Sequence, residues 1–331
     1  MSRTIVCLPG DGIGPEVTAE AVRVLEALPL DVEIAEHAFG GAAIDAFGDP
    51  LPPETLEACK AADAVLLGAV GGPQWGGPLR PEAGLIGLRK ELDVYANLRP
   101  AVGEGIDLLI VRELVGGLYY GARGVRQDGV VFDTCEYHPD QVIRLARRAF
   151  ELARTRSGRL LSVDKSNVLE TSRMWRVVVT ALGEEYPDVE LKHGLVDSVA
   201  MLLVMDPYSF DTLVMENTFG DILSDVAAGV TGGLGLASSA SLGDSNPGIF
   251  EPVHGSAPDI AGTGVANPTG MLRSLALLLE HGLGEPALAR AVETAVTRAI
   301  AETPTPDLGG TATTSEFGST VVAALANEVP A

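Results

Sequence analysis

Apolar residues fall along this chain in two alternating rhythms. Short unbroken runs at Ile5–Leu8, Ala64–Leu67, Leu108–Val111 and Leu160–Val163 read as buried strands. Longer stretches, Glu16–Ala27, Val142–Ala153, Met271–Glu280 and Ala287–Ala301, read as helices. Their alternation predicts α/β layers. Val125–Tyr137 breaks the rhythm: it is β-rich, and Asp128-Gly129 is a hairpin signal. A hairpin protruding from an α/β body fits a dimer arm, and equally a surface hairpin with no partner. No internal repeat or low-complexity linker divides the 331 residues, enough for one large or two medium domains.

Composition narrows the class. Hydrophobic residues make up 46% of the chain, ample for a core, yet no apolar stretch is long enough to span a bilayer. MSRTIVCLPG has no signal-peptide layout and runs straight into a strand pattern. Cys7, Cys59 and Cys135 are scattered and odd in number, and read as reduced thiols of a cytoplasmic protein. A formal net charge of −22 argues against nucleic acid and anionic membranes as partners. It leaves an anionic small-molecule substrate open, because local arginines decide that.

The chemistry concentrates in NTFGDILSD, Asn217 to Asp225, after the apolar strand-like run Thr212–Met215. Asn217 or Thr218 is the expected cap of a helix carrying Asp221 and Asp225. Carboxylates four apart share a face, with Cβ atoms about 5–6 Å apart, and repel. A divalent cation removes that conflict, and an all-oxygen set suits Mg²⁺ or Mn²⁺. An acidic helix start stabilised by the macrodipole fits the same residues.

Other segments add groups of matching character. GDGIGPE (Gly10–Glu16) lies between the first strand and the first helix but fails the dinucleotide fingerprint, since Pro15 replaces the third glycine. Pro15 suits a first helical turn. Arg89, Arg99 and Arg112 sit in or beside apolar runs, where a guanidinium needs an anion, either a substrate dicarboxylate or an internal acid. Tyr119 follows Gly116-Gly117 and fits a proton donor or a core tyrosine. Lys165 follows a strand in VDKSNVLE and fits a tuned general base or a solvated lysine. Asp197 stands in the apolar frame LVDSVAMLLV, as a third metal carboxylate or a helix N-cap. FEPVHGSAPDIAGTGVANP (Phe250–Pro268) is long, irregular and rich in small residues, as binding loops are.

Together, from LPGDGIGPEV to the last helix, these segments resemble the isocitrate/isopropylmalate family of β-decarboxylating dehydrogenases. The resemblance implies two α/β domains unlike the Rossmann fold: residues 1–94 with 234–331, and residues 95–233, the latter carrying the homodimer contact and the arm. It implies active sites shared between subunits, with Lys165 and Asp197 from one chain and the arginines, Tyr119, Asp221 and Asp225 from the other. Arg89, Arg99 and Arg112 hold the substrate carboxylates in that scheme, Asp197, Asp221 and Asp225 hold Mg²⁺ or Mn²⁺, Asp221 also meets the substrate, and Lys165 and Tyr119 move protons. Cofactor contacts fall to Ile13, Glu82, His254, Gly255, Ser256, Ala257, Asp259 and Asn267. Asp259 matches the acid that accepts the adenosine-ribose hydroxyls, so the implied cofactor is NAD rather than NADP.

Leu85, Ile86 and Val168 stand where the family reads the substrate's γ-group and suit an isopropyl group. The implied reaction converts (2R,3S)-3-isopropylmalate to 4-methyl-2-oxopentanoate, the precursor of leucine. Another 2-hydroxy diacid (homoisocitrate, malate or tartrate) and a non-catalytic regulatory subunit are the alternatives. The chain departs from the family at Val115 and Met215-Glu216, where threonine is expected at Val115 and before the variable residue, and in a short Pro100–Asp107 connection.

Overall fold

The structure is a computed structural model and describes residues 2–328. Three strands come first: β1 Arg3–Gly10, β2 Val32–Glu36 and β3 Ala64–Ala69. The middle of the chain forms β4 Ala96–Gly103, β5 Ile106–Glu113, β6 Arg123–Val125, β7 Val131–Asp133, β8 Arg159–Asp164, β9 Glu190–Leu195 and β10 Thr212–Met215. Last come β11 Ser238–Leu242 and β12 Gly248–Pro252. Two compact units result, one joining the chain up to Asp93 with the chain from Leu234, the other spanning Val94–Gly233.

In the first unit the strand order is β2-β1-β3-β12-β11. All neighbours are parallel except β11 and β12. β3 is buried along its whole length, as a strand with both faces covered must be. Helices Gly14–Glu26, Thr269–Leu277 and Pro286–Glu302 bury Val17, Ala21, Val24, Met271, Leu275, Val292 and Val296. The helix expected over Met271–Glu280 ends at Leu277 and continues as a π-helical turn, Leu278–Gly282. Pro15 occupies the first turn of its helix as its fixed φ favours.

In the second unit the order is β4-β5-β10-β8-β9, with β4 antiparallel to β5 and the rest parallel. Met215 is level with both Arg112 and Val163. The carboxyl ends of β5, β10 and β8 therefore line up, and the residues that follow them emerge along one edge, where open α/β sheets place their sites. One face of this sheet packs Leu108, Ile110, Val163, Leu213 and Met215 against Val199, Leu203, Leu223 and Ala227 of two helices. The expected hairpin is β6–β7, antiparallel, with Gly129 at φ +86 in its turn. Val125 and Val131 on it are exposed.

No helix among the described residues is long and apolar enough to cross a membrane, and all three cysteines are free.

A buried carboxylate organises the loops of the first unit. Asp11, 2% exposed, accepts hydrogen bonds from the backbone N–H groups of Gly41 (2.9 Å), Ala42 (2.8 Å) and Gly71 (2.8 Å). Burial raises its pKa, and these three bonds oppose the rise. Asp11→Ala leaves three donors without their acceptor and is expected to lower the unfolding free energy by about 3 kcal/mol, read from urea melts.

Candidate active site

Strand β10 delivers the chain into helix Asn217–Val230, but neither Asn217 nor Thr218 caps it. Glu216 does, accepting from Thr218 N (3.1 Å) and Phe219 N (2.8 Å). Asn217 is thereby freed for tertiary contacts. Its Oδ1 accepts from Arg112 Nε (3.1 Å) and Nη2 (2.7 Å), and its Nδ2 donates to the Gly116 carbonyl (3.0 Å). Asp221 and Asp225 lie on the outer face of the same helix, with side chains 35% and 51% exposed.

The arginines answer these carboxylates directly. Arg112, 2% exposed, donates through Nη1 to Asp221 Oδ1 in a very short contact. Arg99 Nη1 reaches Ser224 Oγ (2.8 Å), Asp225 Oδ1 (3.4 Å) and Asp221 Oδ1 (3.5 Å), while its Nε is held by Asn97 Oδ1 (2.9 Å). Tyr119 donates its hydroxyl to Asp221 Oδ2 (3.0 Å), and its ring centroid lies 5.9 Å from the Arg112 guanidinium. Burial and the Asp221 charge raise the Tyr119 pKa, so the phenol keeps its proton at neutral pH. Burial also raises the Asp225 pKa, against the pull of Arg99. Two guanidiniums, two carboxylates and a phenol thus form one group within the second unit.

Lys165 follows β8. The carboxylate of Asp164, held by Arg176 (2.8 and 3.0 Å), accepts from Ser166 N (2.8 Å), and the Lys165 N–H donates to Ser172 Oγ (3.0 Å). The ammonium of Lys165 lies 2.6 Å from Asp197 Oδ1, and this contact lowers the Asp197 pKa. Asp197 is not an N-cap: its helix, Val196–Met205, is entered through Leu195, and the carboxylate lies in the first turn. Among the described residues no three His, Cys, Asp or Glu side chains converge to hold a metal within the chain. The expected third ligand, Asp197, does not join Asp221 and Asp225 in one protomer.

The first unit brings Ile13 and the segment around Ser256 together, two of the places expected to meet a cofactor. The N–H of Ile13 donates to the Ser256 carbonyl (2.8 Å). Gly12 is at φ +60, and a Cβ there meets that same carbonyl oxygen at 2.0 Å, so only glycine fits the approach. Glu16 accepts from Gly262 N and Gly264 N (3.1 Å), pinning the long loop to the first helix. Ala257 adopts φ +39, a left-handed conformation costing about 1–2 kcal/mol for a residue with a Cβ. Such strain collects where a loop is shaped for a ligand. His254 bonds the Gly255 carbonyl through Nδ1 (3.0 Å), and burial lowers its pKa, leaving a neutral ring at pH 7. Its Nε2 is buried and has no partner among the described residues, an acceptor that fits the amine of a purine. Asn267 is oriented by Asp307 (2.9 Å), while Asp259 is exposed on the turn Pro258–Ile260. The carboxylate of Glu82 lies over Gly71.

Arg89 belongs to this unit too, paired with Glu251 at 2.7 Å with both side chains mostly buried. Leu85 is half-buried, and Ile86 and Val168 are 42% and 61% exposed. Reading the sequence missed Glu251, Asp11 and Asp307, and gave Asn217 or Thr218 the capping place that Glu216 holds. Glu251 and Asp11 sit within quoted motifs, FEPVHG and GDGIG, but nothing local tells which partner each carboxylate meets.

Fold and site define an α/β enzyme whose second unit gathers two arginines, two aspartates and a tyrosine beside the carboxyl ends of β5 and β10. The isocitrate/isopropylmalate dehydrogenase family matches residues 4–321, and the chain belongs to that family. It is 52% identical to a 3-isopropylmalate dehydrogenase of Oleidesulfovibrio alaskensis, covering 91% of this chain and 92% of the relative. It is 50% identical to one of Deinococcus radiodurans, covering 97% of each. Among solved structures, an isocitrate dehydrogenase of Methylococcus capsulatus superposes with TM-score 0.91 at 38% identity, covering 98% of this chain and 99% of that one. A β-decarboxylating dehydrogenase of Thermococcus kodakarensis gives TM-score 0.85 at 37% identity, covering 99% and 97%.

Arg112→Lys tests the geometry. An ammonium cannot serve Asn217 and Asp221 from a planar fork, so stability is expected to fall by about 1–3 kcal/mol in denaturant melts.

Proposed function

We propose that this chain is an NAD-dependent 3-isopropylmalate dehydrogenase, oxidising and decarboxylating (2R,3S)-3-isopropylmalate to 4-methyl-2-oxopentanoate for leucine synthesis. The observation that carries the reading is the Arg99–Arg112–Tyr119 group around Asp221 and Asp225, in a chain about half identical to relatives of that name. Apolar Leu85, Ile86 and Val168 favour an isopropyl group over the third carboxylate of isocitrate, which they offer nothing to bind.

Arg99 and Arg112 bind carboxylate in this reading, and Arg89 adds a third guanidinium once Glu251 shares it. Lys165, in its unprotonated amine form, would take the 2-hydroxyl proton, and a bound nicotinamide would supply the hydride acceptor for C2. Tyr119, kept protonated, returns a proton to the enol carbon after CO₂ departs. Asp221 and Asp225, an oxygen-only pair on one helix face, fit Mg²⁺ or Mn²⁺, with the partner's Asp197 completing the set. Such a cation supplies Lewis-acid polarisation of the carbonyl formed at C2.

Homodimerisation with shared sites is part of the same reading: Lys165 pairs with Asp197, while Arg99, Arg112 and Tyr119 gather at Asp221 and Asp225. Exposed apolar residues support it: Val125 and Val131 on the hairpin, and Met201, Val204, Met205 and Ile222 on the two helices of the second unit. NAD is favoured over NADP by the exposed Asp259 carboxylate, which bonds ribose hydroxyls and repels a 2′-phosphate.

Turnover of 3-isopropylmalate with NAD⁺ and Mn²⁺, abolished by a chelator, is the direct test; homoisocitrate, malate or tartrate turned over faster overturns the substrate. Lys165→Met is expected to leave substrate binding largely intact and cut kcat by about 10²-fold or more. Asp259→Ala is expected to erode the NAD-over-NADP ratio of kcat/KM, and an unchanged ratio means another group reads the ribose.

A further inference from the structure

Behind Arg112 and Tyr119, two carboxyl groups meet one phenol. Tyr137 Oη lies 3.1 Å from Glu216 Oε2 and 3.3 Å from Glu113 Oε2, and it accepts the N–H of Asn217 (3.0 Å). A tyrosine hydroxyl has one hydrogen and two acceptor lone pairs. Its hydrogen serves one carboxyl. The other contact is oxygen to oxygen and forms a hydrogen bond only when that carboxyl carries a proton.

We propose that Glu113 is held as a neutral acid that donates to Tyr137, that Tyr137 donates to an ionised Glu216, and that this shared-proton bridge is the positioning device for Arg112 and Tyr119. The proposal rests on the roles given to those two residues above. Burial raises the Glu216 carboxyl too, against its two helix N–H groups, Tyr137 and the charge of Arg112; it is the anion of the pair because it caps a helix, where the macrodipole favours negative charge. Glu113 is fully buried, and its carboxyl closes the turn through Val115 N (3.0 Å) and Gly116 N (2.8 Å). Desolvation pushes the Glu113 carboxyl up to about 7, against those two bonds, Tyr137 and the charge of Arg144. The other ionisable groups facing the bridge are Cys135, Arg112 and Tyr119, with Asp164 across a small cavity shared with Tyr137 and Glu216.

The link to the site is steric as well as polar. A Cβ on Gly117, at φ +73, meets the Tyr137 hydroxyl at 2.3 Å, and one on Gly116 meets its ring at 2.7 Å. The glycine pair therefore lies directly on Tyr137 and leads into the turn Gly117–Tyr119. On the other side Asn217, whose N–H the phenol accepts, holds both Arg112 and the Gly116 carbonyl. Loss of the Glu113 proton sets two anions against one phenol and loosens both supports.

Glu113→Gln tests this, because its amide nitrogen, in the place of Oε2, donates to Tyr137 as the neutral acid does while the amide oxygen accepts from Val115 N; only the Gly116 N–H loses its acceptor. Infrared spectra of the substrate-free protein at mildly acid pH are expected to show the carbonyl band of a buried protonated carboxyl, absent in Glu113→Gln. A raised pKa adds stability below the ordinary value of 4.5 that is lost as pH rises through about 7. Wild-type melting temperature should therefore lose that increment across the window, and the Gln variant should not. Glu113→Gln is expected to hold kcat within about threefold, while Glu113→Ala and Tyr137→Phe lose about tenfold or more as the site is displaced. A wild-type spectrum without the band, a band that survives in Glu113→Gln, or equal melting slopes overturn the proposal. Band and slope are read without substrate, so they stand or fall independently of the 3-isopropylmalate assay.

Discussion

The guanidinium of Arg112 is the constraint on which the second unit depends. It is a permanent charge almost wholly removed from water, at the carboxyl end of β5, and it must be answered by acceptors. Asn217 supplies one through its carbonyl oxygen and Asp221 supplies another through its carboxylate. Both belong to the helix after β10, so satisfying one buried charge ties strand to helix and fixes where the two carboxylates stand. Gly220 lets that helix approach: a Cβ there meets Arg112 side-chain carbons at 2.5 Å. Tyr119 is drawn into the same group by Asp221.

The first unit solves a different problem, that of holding irregular backbone in a defined shape. Long loops carry donors that no strand or helix satisfies. Asp11 absorbs three of them, Glu16 takes two more from the loop 254–267, and Asn267 with Asp307 closes its far end. The left-handed backbone at Ala257 persists because these ties over-determine it. A shaped loop of this kind presents a ligand with backbone and small side chains already in place, which lowers the entropy lost on binding.

Charge organises the molecule at two scales. The net charge of −22 repels polyanions in general. Locally, however, Arg89, Arg99 and Arg112 are each poised on an internal acid, Glu251, Asp225 or Asp221. Each guanidinium is thereby oriented by an acid from a distant part of the chain.

The α/β alternation, the hairpin at Asp128-Gly129, Pro15 in a first helical turn and the shared face of Asp221 and Asp225 were all legible in the sequence. Each is set by steric rules acting within a few residues, or by the periods of helix and strand. Which residue caps the Asn217 helix was not legible, because Glu216 competes with Asn217 for that place and only Arg112, about a hundred residues earlier, decides that Asn217 is needed elsewhere. The pairing of Arg89 with Glu251 and the meeting of Glu113, Tyr137 and Glu216 were equally beyond local reading. Partners so distant in the chain are selected by strand order and by the cost of leaving a buried charge unanswered, and both exist only once the sheet has formed.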